Sequence, residues 1–191
     1  MKFKGLLLVA WIFVCNSLSA QWGRIGYIQG SVVLTSGDSL SGWINPEEKF
    51  ILFKNESRGD ETKYKMDEVV SFSYSEGTYV VKSVEVLRGT FPERVTTYLH
   101  QLLSGPLDLY QYTGSDRYKN EFTNFFIEDP SGSIFRVDKK RFRKIFAEDF
   151  SDCTSVADKI RSGEITYDNL PAAIIEFNTW ANENKVTEPT E

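Results

Sequence analysis

A thiol beside an imidazole is a nucleophile with its base, so Cys153 and His100 are the first residues to weigh. Cys153 falls in the first turn of a predicted helix, where the helix dipole lowers a thiol's pKa. It also shares an apolar stripe with Val156, Ala157 and Ile160, the pattern of a thiol packed as a small hydrophobe. His100 lies in a predicted strand, Thr96 to Leu102, among apolar or neutral neighbours, so nothing in the sequence sets it beside Cys153. A side chain satisfied on a sheet face is the expectation for it. The chain has one histidine and two cysteines, too few for a His/Cys zinc set, and no cofactor is implied.

The adjacent acidic pairs Glu47/Glu48, Asp60/Glu61, Asp67/Glu68 and Glu148/Asp149 are candidates for acid–base work. Glycoside hydrolysis needs two carboxylates about 5–10 Å apart across a cleft. Neighbours on a strand point to opposite faces, so none of these pairs is a site by itself. A basic run stands out instead: Arg136, Lys139, Lys140, Arg141, Arg143 and Lys144. With a helix starting at Lys139, the cations Lys139, Lys140, Arg143 and Lys144 lie opposite Phe142, Ile145 and Phe146. Together with Arg136 they form a candidate contact for an anionic lipid, an acidic glycan or an acidic partner. The plainer alternative is a solvated face balanced by the chain's own carboxylates. Tyr110, Tyr112, Phe122 and Phe126 crowd one stretch and could line an apolar ligand cavity in a rolled sheet. The plainer alternative is that these rings are core.

The elements that must position these residues change character once. Over 24–137 the apolar residues alternate as in strands. Ile28, Gly30, Val32 and Leu34 share a face, and Ser36-Gly37-Asp38 turns the chain into Leu40, Gly42 and Ile44. Phe50 to Phe53 reads as a short strand, 54–62 as a loop, and Val70, Phe72 and Tyr74 as a strand turning at Ser75-Glu76-Gly77. Thr78 to Val86 follows, interrupted by Gly89 and Pro92. Val95 to Leu103 and Leu107 to Tyr112 form a hairpin across Ser104-Gly105-Pro106, and 113–120 reads as loop. Phe122 to Ile127 and Ile134 to Val137 flank Asp129-Pro130-Ser131-Gly132, a type I turn sequence. After 138 the period becomes about 3.6. Asp138 caps a first helix from Lys139, Ser151 or Asp152 starts a second that Gly163 stops, and Asp168 or Asn169 caps a third with Pro171 in its first turn. The expected fold is α+β: a mostly antiparallel twisted sheet or partial β-barrel over 21–137, a helical cap over 138–184, and a frayed tail at 185–191.

Residues 1–20 read as a secretory signal. Lys2 and Lys4 precede an apolar run from Gly5 to Val14, and Asn16 to Ala20 is small and polar. Cleavage is expected within 19–21. Cys15 has Ile12-Phe13-Val14 before it, a poor match to a lipoprotein signal. No later stretch approaches the ~18–20 apolar residues of a membrane helix. Loss of the signal removes Lys2, Lys4 and Cys15, so Cys153 becomes the sole thiol. The whole chain carries a net charge of −5 with 41% hydrophobic and 14% aromatic residues, which excludes a disordered protein and argues against nucleic-acid binding.

Gly37-Asp38-Ser39-Leu40-Ser41-Gly42-Trp43-Ile44 is one of several short motifs in a fixed order. Tyr64-Lys65-Met66-Asp67-Glu68-Val69-Val70-Ser71-Phe72 follows, then Gly77-Thr78-Tyr79, Leu103 to Tyr110, and Phe150-Ser151-Asp152-Cys153. This order resembles a group of exported proteins of Bacteroidetes-type bacteria that read G-D-T-L-x-G-x-I, Y-x-P-D-D-I-x-x-F and F-x-D-C. Ser39, Met66 and Glu68 depart mildly from that pattern. The resemblance implies an envelope location, periplasmic, outer-membrane-associated or extracellular, and no activity. With no catalytic constellation in view, the expected function is a binding or interaction module for an envelope protein, glycan or lipid. A hydrolase of envelope glycans or peptides and an accessory subunit are the alternatives.

Overall fold

The computed structural model describes residues 26–88, 91–115 and 121–185; the expected signal and the end of the expected tail lie outside them. Among the described residues, ten strands form one antiparallel sheet: β1 (Ile28–Leu34), β2 (Ser39–Pro46), β3 (Phe50–Lys54), β4 (Thr62–Lys65), β5 (Val69–Tyr74), β6 (Gly77–Arg88), β7 (Phe91–Leu103), β8 (Asp108–Ser115), β9 (Glu121–Glu128) and β10 (Ile134–Arg136). Their order is β10-β9-β8-β7-β6-β5-β1-β2-β3-β4, an open sheet rather than a closed barrel. Three α-helices follow among the described residues, α1 (Phe142–Asp149), α2 (Thr154–Ser162) and α3 (Leu170–Lys185). The α+β reading holds.

The first five strands curl around one core of Val32, Ile44, Ile51, Phe53, Val69 and Phe72. Gly37 takes the φ of 92° that the β1–β2 turn needs. Gly30 and Gly42 face each other in register. A Cβ on Gly42 would lie 2.3 Å from the Lys54 carbonyl oxygen, so glycine lets neighbouring strands close over this point. A 3-10 turn, Met66–Glu68, carries the chain from edge strand β4 to β5 on the far side of β1. Its Glu68 carboxylate accepts the Lys65 amide at 2.7 Å. Thr62 to Lys65 was expected to be partly loop; it pairs with β3, and only Tyr64 of the four is even half-buried, so the usual apolar alternation is missing.

The other half is built differently. β6 and β7 pair from Thr78–Gln101 to Arg88–Phe91. Yet β5 reaches β6 only over 77–80, and β8 reaches β7 only from His100. The rest is a two-stranded ribbon that folds over the sheet, packing Val84, Val86 and Leu99 on Tyr110, Phe126 and Ile134. Pro92 was expected to interrupt the strand. It stands within β7 opposite Leu87, on a stretch that pairs with no second strand among the described residues, so its missing N–H costs no ladder bond there. β8 runs on to Ser115, beyond the expected start of a loop.

The opposite face of β8 and β9 receives the helices through Leu109, Phe125 and Ile127 with Phe142, Phe146, Val156, Ile160 and Ile174. β9 is therefore covered on both faces, and Asn124 to Ile127 are all buried. The expected helix start at Lys139 is displaced to Phe142. The Asp138 carboxylate accepts the Lys140 amide at 2.9 Å and Arg141 Nε at 2.8 Å, holding 139–141 as a turn. The second helix likewise starts later than Asp152, with Cys153 at its N-cap position, and Gly163 at φ 84° ends it as expected.

Candidate functional site

Asp108 and Glu128 are direct cross-strand partners, and Tyr110 and Phe126 are the next pair on the same face. The Tyr110 hydroxyl donates to Glu128 Oε2 at 2.8 Å and lies 3.1 Å from Asp108 Oδ2. From the ribbon, Lys82 Nζ reaches both Glu128 carboxylate oxygens at 2.7 Å. This ion pair ties β6 to β9 across two intervening strands and fastens the fold-over. The Gly105 amide donates to Asp108 Oδ1 at 3.0 Å. Asn178 of α3 clamps the same turn, accepting the Leu107 amide and donating to its carbonyl, each at 2.9 Å. That clamp brings Asn182, one turn later, to the rim.

Above this network is an open cavity of about 670 Å³, walled by Pro106, Pro130, Gly132 and Asn182 and floored by Lys82, Asp108, Tyr110 and Glu128. Burial pushes the Tyr110 hydroxyl well above the ordinary tyrosine range, and the bond to Glu128 adds to it. Tyr110 is therefore a hydrogen-bond donor, not a base. Lys82 is held by Glu128, and Asp108 already accepts an amide. Every polar group of the floor has a partner, which suits recognition and bracing more than proton transfer.

The residues singled out from sequence are dispersed. Of the aromatic set, Tyr110 reaches the cavity through its hydroxyl. Phe126 is buried under the ribbon, Tyr112 packs at that cluster's margin, and Phe122 lies against Tyr112 with centroids 6.0 Å apart. Of the cations, Lys139 pairs with Asp168 at 2.8 Å, Arg141 with Asp138, and Arg143 donates to the Arg161 carbonyl. Lys140 and Lys144 are exposed, but Lys139 and Lys140 lie on the turn, so the single helical face of cations does not form. Arg136 ends β10 with its Nε buried.

Cys153 is 2% exposed in the helix–sheet core. His100 instead stacks on Tyr79, centroids 4.8 Å apart, in the row that Tyr74 and Phe72 continue. Thiol and imidazole thus belong to different clusters. Gly77 sits beneath the imidazole, where a Cβ would approach Nε2 to 2.5 Å. Burial lowers the pKa of His100, partly opposed by its hydrogen bond to the Glu76 backbone and the Glu76 charge, so it is a neutral ring near pH 7. The adjacent acidic pairs do not converge: Glu61 accepts the Tyr27 hydroxyl and Glu68 the Lys65 amide. Among the described residues no group of three or more His, Cys, Asp or Glu is placed to hold a metal ion, and no helix is long and apolar enough to cross a membrane.

Asp108 and Glu128 were missed by sequence reasoning because they are twenty residues apart and pair only through the β8–β9 register. The available signal was their position: Asp108 follows the Gly105-Pro106 turn and Glu128 precedes the Asp129-Pro130 turn, so both mark the same end of one hairpin.

No family model matches the chain, and no curated protein or solved structure matches it.

Proposed function

We propose that this chain is an exported, non-catalytic binding module of the bacterial envelope whose cavity over Lys82, Asp108, Tyr110 and Glu128 receives a glycan fragment. The observation that supports this reading is the cavity itself: it has the volume of a small-ligand site, and its floor offers carboxylate acceptors whose donors are already committed within the protein. Such a floor orients hydroxyl groups without supplying a free base or nucleophile. The leader-like residues 1–20 support export.

Calorimetric titration of the full chain with soluble envelope glycan fragments tests the site. Saturable binding is expected, weakened about tenfold by Asp108→Asn, as loss of a charge-assisted hydrogen bond predicts. Absence of binding across such a panel would sink the reading. Steady release of reducing ends would replace it with the hydrolase, which the facing pair Asp108 and Glu128 favours as the second reading. Sequencing the N-terminus of protein recovered from envelope fractions tests export; a retained Met1 in the cytoplasmic fraction would refute it.

A further inference from the structure

One hydroxyl stands between two carboxylates at the floor of the cavity, and it has a single proton to give. The Tyr110 oxygen is 2.8 Å from Glu128 Oε2 and 3.1 Å from Asp108 Oδ2. Burial keeps that proton on the oxygen. Donated to the nearer carboxylate, it leaves Asp108 Oδ2 facing a lone pair of the tyrosine rather than a donor.

The two carboxylates are unequally supplied. Glu128 receives Lys82 Nζ at 2.7 Å on each oxygen, in addition to the hydroxyl. Asp108 is half-buried and receives the Gly105 amide on Oδ1 at 3.0 Å. The ion pairs among the described residues use Glu128, Asp138, Asp158, Asp168 and Glu176, not Asp108. A third carboxylate, Asp129, stands in the lining with Oδ1 taken by the Ser131 and Ser133 amides of its own turn, at 2.8 and 3.0 Å. The cavity is thus lined by three carboxylates and one ammonium, and Glu128 already holds that ammonium. A half-buried carboxylate short of a donor is costly, and a cationic donor offsets the cost best.

We infer, resting on the glycan reading of this cavity, that its ligand is an amino sugar with a free, positively charged amine, which donates to Asp108 Oδ2. An ammonium brings three N–H donors and the missing charge. An N-acetylated nitrogen is neutral and brings one donor, so the cavity discriminates between the two forms of the same sugar. Lys82 opposes the bound amine as the like charge of the lining, and its pairing with Glu128 limits that opposition. Asn182, also in the lining, supplies a neutral amide for the sugar hydroxyls.

Calorimetric titration of the full chain with chitotriose, whose sugars carry free amines, and with its fully N-acetylated form tests this directly. Chitotriose is expected to bind about tenfold more tightly, the worth of one charge-assisted hydrogen bond. Asp108→Asn keeps the shape of the side chain and an acceptor for the Gly105 amide; it should bring the two affinities to within about twofold of each other. Lys82→Met removes the like charge and should tighten chitotriose about threefold to tenfold without changing the acetylated form, a gain that misfolding cannot produce. Glu48→Gln, exposed between β2 and β3, should leave both affinities unchanged, which separates the site from general attraction to an acidic protein. Equal affinity for the two trimers, or a preference for chitotriose that survives Asp108→Asn, overturns the inference and leaves the glycan reading standing. So does binding of other glycan fragments without chitotriose. No binding of any glycan removes that reading and the inference with it.

Discussion

The two halves of the sheet solve the burial problem in opposite ways. Strands β1–β5 curl around a single core and keep their other face outward, so buried residues alternate: Ile51 and Phe53 in, Leu52 between them less so. Strands β8 and β9 lie between the ribbon and the helices, so β9 buries four residues in a row. The first half needs only strand periodicity and glycine at the point of closest approach. The second must place polar groups inside as well. Asn124 and Asn178 are buried, and Lys82, Glu128, Tyr110 and Asp108 close one end of the fold-over. The single-faced half leaves little room for a built polar site, whereas the layered half creates one, the cavity over Asp108 and Glu128. Layering forces backbone edges and charged tips to find partners, and recognition can use what remains.

The contrast can be broken most forcefully at Phe126, which is 1% exposed beneath the ribbon. Phe126→Ala should destabilise the protein by about 3–5 kcal/mol in urea unfolding. Hydrogen exchange should then rise first in the β6–β7 ribbon while β1–β5 stays protected; uniform loss would mean that the halves are one cooperative unit. In the other half, Gly42→Ala drives a Cβ into the Lys54 carbonyl and should cost about 1–3 kcal/mol. Its exchange signature should be confined to β1–β4.

Glu128→Gln removes the tie between ribbon and β9. Lys82 is partly exposed and can rehydrate, so the expected loss is about 1 kcal/mol, read as a shift of the urea midpoint with unchanged slope. The smallest expected effect is on acid response. His100 has a lowered folded pKa, so its contribution to stability is present above its ordinary value of 6.5 and is lost as pH falls through the folded value. Asp129 is held below its ordinary 3.8, chiefly by the Ser131 hydroxyl, and contributes above that value until pH falls through the depressed one. Stability measured against pH should therefore show a shallow loss starting near pH 6.5 that His100→Gln removes, and a separate one below pH 3.8 that Asp129→Asn removes.

Much of the local structure was readable. The turns at Gly37, Gly132 and Gly163 take the positive φ that their sequences announce, and of the apolar stripe Leu170, Ala173, Ile174, Phe177 and Ala181 on α3 all but the half-buried Phe177 are buried. β4 was obscured because its four residues bury little. The fold-over of β6 and β7 was obscured because a strand's alternation does not say which surface it meets. Of the cavity, one residue was anticipated: Tyr110 was taken as a ring for an apolar ligand, whereas its hydroxyl faces two carboxylates. Arg136 was singled out for its charge, but its buried Nε depends on where β10 stops.

By itself the sequence determined the α+β division, the order of hairpins and helices, and the apolar faces, because turn chemistry and periodicity act over a few residues. Only the tertiary structure decided which carboxylates meet, that Cys153 and His100 do not, that Lys82 reaches Glu128, and that Tyr167 finishes the edge of β9. Those contacts join residues 20 to 46 positions apart, and they follow from strand register and layer packing, which no local pattern encodes.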